Sequence, residues 1–222
     1  MAEGGSNRAA FFDLDRTLVR VNTARLYVRW RVRENLLPWT DVIRSTWWGL
    51  QYKFGVLDMS AVTERALSTL EGLEEEPFRG ECAEWAEREV FPHVTEHARA
   101  EVERRRDEGL ELALLTTSSL YVAEPVARML GVEHVLCTRV EVESGRFTGA
   151  LAGTPCYGAG KVDHARDWAS DRDVDLRKSV FYTDSVSDLP MLEEVGEPRV
   201  INPDPRLLRL ARERGWPVES WV

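Results

Sequence analysis

The feature that most constrains the fold of this chain is a short apolar run that ends in two carboxylates. Residues 9–12 are Ala-Ala-Phe-Phe, and Asp13, Asp15 and Thr17 follow at alternate positions. Such a run is typical of a buried strand, and in an open α/β sheet ligands bind at the carboxyl ends of the strands. If the strand continues past Asp13, alternation places both carboxylates on one side, where they repel each other unless a cation lies between them. The alternative is that these residues only cap a following helix.

Length and composition indicate an ordinary globular enzyme and argue against several other classes of protein. The 222 residues, 43% hydrophobic and 30% charged, suit a core domain with an insertion. A net charge of -9 argues against a general nucleic-acid binder. Cys82, Cys137 and Cys156 are widely spaced, which fits a reducing compartment and neither a disulfide scaffold nor a zinc site. No signal peptide and no apolar run of transmembrane length are visible, so we expect a cytoplasmic enzyme without stable membrane insertion.

Residues 20–91 differ in composition from the rest of the chain. Residues 20–53 hold seven basic and two acidic side chains, and they include Trp30, Trp39, Trp47 and Trp48. The balance then turns acidic, and we interpret Glu74-Glu75-Glu76 as a solvated connection between helices. Residues 24–33 alternate as in a strand, but Arg25, Arg29 and Arg33 follow one another at i, i+4, so we favour a helix there. Helical patterns also cover residues 41–50, 61–70 and 78–90. We therefore predict a helical cap domain at 20–91, inserted into a core domain formed by 1–19 and 92–222.

From residue 95 onward, predicted strands alternate with predicted helices. Thr95 is a candidate helix N-cap, and Gly109 and Gly131 are candidate helix terminators. Strands are predicted at 110–115, 135–137, 179–183 and 199–201, helices at 96–108, 121–130, 158–169, 189–195 and 205–214, and a hairpin across 139–148. This order predicts an α/β fold with a Rossmann-like, doubly wound parallel sheet and helices on both faces.

Four polar clusters are expected to meet at one edge of this sheet. Three of them directly follow predicted strands: Asp13 with Asp15, Thr116 to Ser118, and Asp184 with Asp188. The fourth is Lys161, which stands at a predicted helix start. Carboxylates with an open side suit Mg²⁺. A hydroxyl and a lysine add the positioning and charge neutralisation that phosphoryl transfer requires, and a carboxylate can be the nucleophile. Taken alone, Lys161 would more often be a surface lysine, so its role depends on the whole set.

These motifs resemble those of the haloacid dehalogenase superfamily of phosphohydrolases. They occur in that superfamily's order, as Asp13-Leu14-Asp15-Arg16-Thr17, Leu114-Leu115-Thr116, Lys161 and Asp184-Ser185-Val186-Ser187-Asp188. Residues 20–91 stand where the superfamily has a type 1 cap. The stretches from Thr116 to Lys161 and from Phe181 to Leu192 are similar to the phosphoserine-phosphatase-like branch, subfamily IB.

The resemblance implies a magnesium-dependent phosphomonoester hydrolase that works through an aspartyl-phosphate. It implies that Asp13 is the nucleophile, and that Asp15 is first the general acid and then the general base. Thr116 is expected to hydrogen-bond the transferring phosphoryl group, and Lys161 to neutralise it. The expected partner is a small phosphorylated metabolite and not nucleic acid, and no particular oligomeric state is implied.

The resemblance also implies a metal site and contacts to the substrate. Mg²⁺ is expected at Asp13, at the Asp15 backbone carbonyl and at Asp184, with Asp188 supporting it directly or through water. Thr17 is expected to orient the loop. Thr117, Ser118 and Asn22 are candidate substrate-binding residues.

Two departures from the phosphoserine-phosphatase pattern make phosphoserine a doubtful substrate. Asn22 stands where those enzymes carry a glutamate that meets the substrate's amino group, and Thr117 and Ser118 replace two glycines. We expect Asn22 to act in specificity and phosphoserine activity to be weak. The tryptophans of the cap could accept a bulkier leaving group, rest on an anionic surface, or form the cap's own core, and we favour the last reading.

Two other functions stay open at this point. A phosphotransferase or phosphomutase would pass the phosphoryl group from the aspartyl-phosphate to an acceptor other than water. A non-catalytic regulatory module could keep the fold alone, although clustered charges are costly to retain without a use.

Overall fold

The computed structural model describes residues 7–34 and 67–221. Its strands are β1 (Ala9–Phe12), β2 (Glu111–Ser119), β3 (His134–Thr138), β4 (Val140–Glu143), β5 (Arg146–Leu151), β6 (Val180–Thr183), β7 (Glu197–Ile201) and β8 (Val218–Glu219). Its helices are α1 (Thr23–Arg33), α2 (Glu75–Trp85), α3 (Glu96–Asp107), α4 (Leu120–Leu130), α5 (Ala159–Ser170), α6 (Leu189–Glu194) and α7 (Pro205–Arg214). The predicted helix at 41–50, most of that at 61–70, and Trp39, Trp47 and Trp48 lie outside the described residues.

Six of the strands in the described part form one parallel sheet, in the order β3-β2-β1-β6-β7-β8. The central strand is β1, where Phe12 pairs with Leu114 of β2 on one side and with Tyr182 of β6 on the other. Strands β4 and β5 form a separate antiparallel hairpin. The predicted doubly wound α/β fold is confirmed.

Alternation along β1 and its neighbour β2 fills a core on each face of the sheet. Phe12 and Leu114 point to one face, where α3 and α4 cover them with side chains such as Val102 and Val126. Phe11 and Leu115 point to the opposite face and pack against α5, α6 and α7. All four residues of β1 are fully buried, which is why that strand reads as a continuous apolar run.

The strands differ from the predictions mainly at their ends. Strand β1 stops at Phe12, so Asp13 and Asp15 belong to the loop that follows and do not alternate on a strand. Strand β2 continues through Ser119, four residues beyond its predicted end, because it keeps pairing with β3 after a register shift. The short strand β8 was not predicted, since it is only two residues long and follows Pro217.

The glutamate run at 74–76 begins a helix and does not connect two helices as predicted, although Glu74 and Glu76 are exposed to solvent as expected. Glu74 is the N-cap residue of α2, and Glu75 and Glu76 lie in its first turn, where acidic side chains interact favourably with the helix dipole. Tyr121 Oη on α4 donates to Glu75 Oε1 over 2.9 Å, and Glu74 pairs with Arg146 of the hairpin. The run therefore docks the start of α2 onto residues of the predicted core domain.

The predicted cap leaves and rejoins the core at adjacent points. Val19 and Val94 form an antiparallel bridge, and Arg20 N donates to His93 O over 3.0 Å. The helix predicted at 78–90 begins three residues earlier, as α2, and ends in a π-helical turn at Ala86–Val90. No helix within residues 7–34 and 67–221 is long and apolar enough to span a membrane.

Candidate active site

A buried ion triad joins the first and last motifs of the sequence. Lys161 Nζ lies 2.7 Å from Asp13 Oδ1 and 2.7 Å from Asp188 Oδ2. Lys161 is 1% exposed, Asp188 2% and Asp13 6%, so water hardly screens these charges. Asp13 follows β1, and its backbone N–H donates to Tyr182 O at the end of β6. The pairing of β1 with β6 therefore brings residues more than 150 positions apart to one edge.

Local structure explains how Lys161 reaches this position. It lies in the first turn of α5, and its helix start packs directly on the preceding loop. A Cβ on Gly160 would lie 2.1 Å from Pro155 O, so only glycine permits this approach. Gly158 and Gly160 precede Lys161 at the predicted helix start, and the close contact gives the physical reason for the second glycine.

The pKa values of Lys161 and Asp13 are both raised in the triad, but for different reasons. Burial alone would lower the pKa of Lys161, but the carboxylates of Asp13 and Asp188 outweigh it and hold that pKa above its ordinary value. Burial raises the pKa of Asp13 to about 8, against the lowering effect of Lys161 and with a further increase from Asp188 and Asp184. Lys161 thus carries a fixed positive charge beside a carboxylate that lacks solvation.

Asp15 is held at both carboxylate oxygens by the start of α1. Its Oδ1 accepts from the Thr23 backbone N–H and its Oδ2 from Asn22 Nδ2, each over 2.9 Å. Burial raises the pKa of Asp15, while the Thr23 hydrogen bond acts in the opposite direction. Asp15 lies beside the nucleophile candidate but outside the ion triad.

The hydroxyl residues predicted from the second motif lie at the same edge. Thr116 is buried, and its Oγ1 accepts from the Ser118 backbone N–H over 3.2 Å, which leaves its own proton available to donate. Ser118 Oγ lies 3.2 Å from Thr23 Oγ1, which links β2 to the start of α1. Thr117 is partly buried, and Thr17 is fully buried with no hydrogen-bond partner for its Oγ1 among the described residues.

Asp184 follows β6 and lies near the positively charged Arg16 of the first motif. Its Oδ2 is 3.9 Å from the guanidinium of Arg16, a residue with a left-handed φ of 58°. Burial raises the pKa of Asp184 to about 7, although Arg16 opposes the shift. Asp13 and Asp184 are therefore two buried carboxylates that repel each other, and a hard cation with oxygen ligands fits between such groups.

The metal ligands implied by the resemblance include a backbone carbonyl and so are not a cluster of side chains alone. Within the described ranges, no three His, Cys, Asp or Glu side chains are grouped so as to hold a metal ion. The implied set combines the carboxylates of Asp13 and Asp184 with the backbone carbonyl of Asp15. Asp188 commits its Oδ2 to Lys161 and to Thr183 Oγ1, at 2.7 and 2.6 Å.

Sequence reasoning missed three residues that hold the site loops. Thr183 orients Asp188, and Asn202 Nδ2 donates to the Arg16 carbonyl over 2.9 Å. Asp204 caps α7 and also accepts from Val186 N over 2.8 Å, which ties down the fourth-motif loop. Asn202 and Asp204 directly follow β7, so the rule used for the other strands, that polar residues after a strand mark the site, would have found them.

Curated relatives cover nearly all of the chain. It is 29% identical to a histidinol-phosphatase of Neisseria meningitidis over 94% of this chain and 96% of the relative. It is 32% identical to the phosphoserine phosphatase SerB1 of Mycobacterium tuberculosis, over 100% of this chain and 76% of that one.

Solved structures agree with the fold. A Bordetella pertussis protein of unknown function superposes with a TM-score of 0.90 at 30% identity, covering 98% of this chain and 100% of that one. A phospho-aspartyl intermediate analogue of phosphoserine phosphatase gives a TM-score of 0.69 at 18% identity, over 98% and 95% of the two chains, which supports the fold alone. Residues 10–193 match the family described as haloacid dehalogenase-like hydrolase, as the motifs predicted. The chain therefore belongs to the haloacid dehalogenase-like hydrolase family.

Proposed function

We propose that this hydrolase is a Mg²⁺-dependent phosphomonoesterase that forms an aspartyl-phosphate on Asp13. The observation that carries the proposal is the buried contact of Lys161 Nζ with Asp13 Oδ1 at 2.7 Å. Among the hydrogen bonds of the described residues, Asp13 uses Oδ1 only, so Oδ2 is available for attack. The fixed charge of Lys161 would offset the negative charge that builds up when a phosphate monoester approaches a carboxylate.

In the first step, Asp13 attacks phosphorus and the bond from phosphorus to the leaving oxygen breaks. Asp15 gives its proton to that oxygen, so the alcohol leaves neutral. Thr116 donates its free hydroxyl proton to a phosphoryl oxygen, and Lys161 neutralises another. The product is an acyl phosphate on Asp13 and an ionised Asp15.

In the second step, Asp15 takes a proton from water, and the water oxygen attacks the same phosphorus. The acyl phosphate breaks, which releases inorganic phosphate and restores both carboxyl groups. When bound, Mg²⁺ would supply positive charge that offsets the negative charge of the phosphoryl group. Asp13, Asp184 and the Asp15 carbonyl would hold it, and Asp188 would support it directly or through a bound water.

The remaining parts of the proposal concern domains, substrate and location. The antiparallel contact of Val19 with Val94 supports a cap at 20–91 inserted into a core of 1–19 and 92–222. Relatives named histidinol-phosphatase and phosphoserine phosphatase support a small phosphorylated metabolite as substrate. The cysteines are free and buried, which supports a reducing, cytoplasmic location.

Hydrolysis of p-nitrophenyl phosphate tests the proposal. We expect turnover with Mg²⁺, loss of turnover in excess chelator, and recovery when Mg²⁺ is restored. The product should be inorganic phosphate in equal amount to nitrophenol, whereas phosphate transferred to an added alcohol or sugar would indicate a phosphotransferase. Full activity in excess chelator, or an Asp13→Asn variant that keeps most of its rate, would contradict the proposal.

A further inference from the structure

The side chain of Asn22 is used at both of its ends. Its Oδ1 accepts from the Arg25 backbone N–H over 3.0 Å, which makes Asn22 the N-cap of α1. Its Nδ2 donates to Asp15 Oδ2 over 2.9 Å. The backbone of Asn22 is extended, with φ of -94° and ψ of 116°, as expected of an N-cap residue. Both polar ends of the carboxamide therefore contact protein atoms, one on the helix and one on Asp15.

The Asp15 carboxylate in turn has its position set by two donors from one helix start. Asn22 Nδ2 binds Oδ2 and the Thr23 backbone N–H binds Oδ1, so rotation of the carboxylate is restricted. Thr23 is itself 1% exposed, and its Oγ1 lies 3.2 Å from Ser118 Oγ on β2. The helix start is thus tied to the second motif as well as to the first.

We propose that Asn22 is a positioning residue that aims the Asp15 carboxyl group at the leaving oxygen and the attacking water. The inference rests on the proposed function, in which Asp15 transfers protons in both steps. Proton transfer requires the two heavy atoms to lie within about 2.6–3.2 Å. A displacement of about 1 Å can cost on the order of 100-fold in rate. This assignment differs from the expectation that Asn22 meets the leaving group of the substrate.

An Asn22→Ser variant separates the two contacts. Serine is as good an N-cap as asparagine, so its hydroxyl would keep the hydrogen bond from Arg25 N, while the donor to Asp15 Oδ2 would be out of reach. Thr95→Ala is the matched control. Thr95 caps α3 through Ala98 N and does not contact Asp15, so its loss weakens a cap without touching the site.

The measurement is the single-turnover rate of phosphoenzyme formation with two substrates. An alkyl phosphate needs a proton on its leaving oxygen, whereas 2,4-dinitrophenyl phosphate does not. For Asn22→Ser we expect a fall of roughly 10- to 100-fold with the alkyl phosphate and less than threefold with the dinitrophenyl ester, with KM for both near the wild-type value. Breakdown of the phosphoenzyme should slow by a factor similar to that for the alkyl phosphate. Thr95→Ala should keep wild-type rates with both.

Three outcomes would overturn the assignment. An equal fall with both substrates would indicate a general loss of structure at the site. A raised KM for amine-bearing phosphates with kcat unchanged would indicate that Asn22 contacts the substrate. If the wild-type enzyme formed no phosphoenzyme that depends on Asp13, the proposed function would fail first and the inference with it.

Discussion

Removal of Lys161 should destabilise the protein far more than removal of its partner Asp13. Lys161 Nζ binds both Asp13 and Asp188, so Lys161→Met would leave two buried carboxylates without a counter-charge. Asp13→Asn would instead leave the Lys161–Asp188 pair intact and remove one of the repelling carboxylates. The two substitutions therefore act on the same contact with unequal consequences.

The magnitude follows from the burial of the triad. Breaking a buried ion pair by removing one partner costs about 3–5 kcal/mol. With Lys161 1% exposed and its two carboxylate side chains under 10% exposed, we expect Lys161→Met to fall in that range. For a chain of this length, about 2–4 °C of Tm per kcal/mol converts the loss into roughly 6–20 °C. Asp13→Asn should change the free energy of unfolding by less than about 1 kcal/mol or increase it.

The assay is urea unfolding of the wild type and both variants, followed by circular dichroism, with chelator present so that no cation compensates. Asp13→Asn/Lys161→Met closes the cycle and should be more stable than Lys161→Met alone, because it has one unpaired carboxylate instead of two. If Asp13→Asn destabilised the protein as much as Lys161→Met, the asymmetry would be refuted. The triad would then not govern stability in the way its geometry indicates.

The remaining predictions concern chemistry and packing. Asp13→Asn should form no acid-stable phosphoenzyme, and beryllium fluoride should inhibit phosphate release by the wild type; an acid-stable phosphoenzyme in Asp13→Asn, or a wild type insensitive to beryllium fluoride, would contradict this. Gly160→Ala should lose stability and activity because its Cβ would meet Pro155 O. In the helical control Gly80→Ala the added Cβ meets nothing within 4 Å, so the free energy of unfolding measured in urea should rise by about 0.5–1 kcal/mol. Asp204→Ala should lower the free energy of unfolding by about 1–2 kcal/mol and lower kcat, since it removes a helix cap and a hydrogen bond to the 184–188 loop. An unchanged kcat would show that the loop keeps its conformation without Asp204.

Elements with local signals were predictable from the sequence. Helix α3 begins after Thr95, whose Oγ1 accepts from Ala98 N, and α4 ends at Gly131, whose φ is 65°. Helix α7 has its predicted bounds, because Asp204, Pro205 and Gly215 mark its start and end. In each case the capping residue and the apolar pattern act within one or two turns, so no distant contact is needed to define the element.

Features that depend on distant contacts were not predictable in the same way. Glu75 becomes the first turn of a helix and the acceptor of Tyr121 Oη, a residue 46 positions away. Strand β8 exists because Val218 pairs with Val200, although it is only two residues long. For the candidate site, the motif residues could be named, but not the contacts that hold Asn22 against Asp15, because a side chain's hydrogen-bond partner depends on the folded loop.

The adjacent entry and exit points of the predicted cap make it an exchangeable unit. Val19 bridges Val94, Arg20 N donates to His93 O, and Thr95 N donates to Leu18 O, so the chain returns to the place it left. Because the ends are already joined, a longer or shorter insert would change the free-energy cost of loop closure by only about 0.6 kcal/mol per doubling of length. Chimaeras that graft a foreign insert between Arg20 and His93 should therefore keep the sheet and its carboxylates, as measured by circular dichroism and urea unfolding. The junction therefore predicts that the sheet tolerates inserts of different length and sequence at this position.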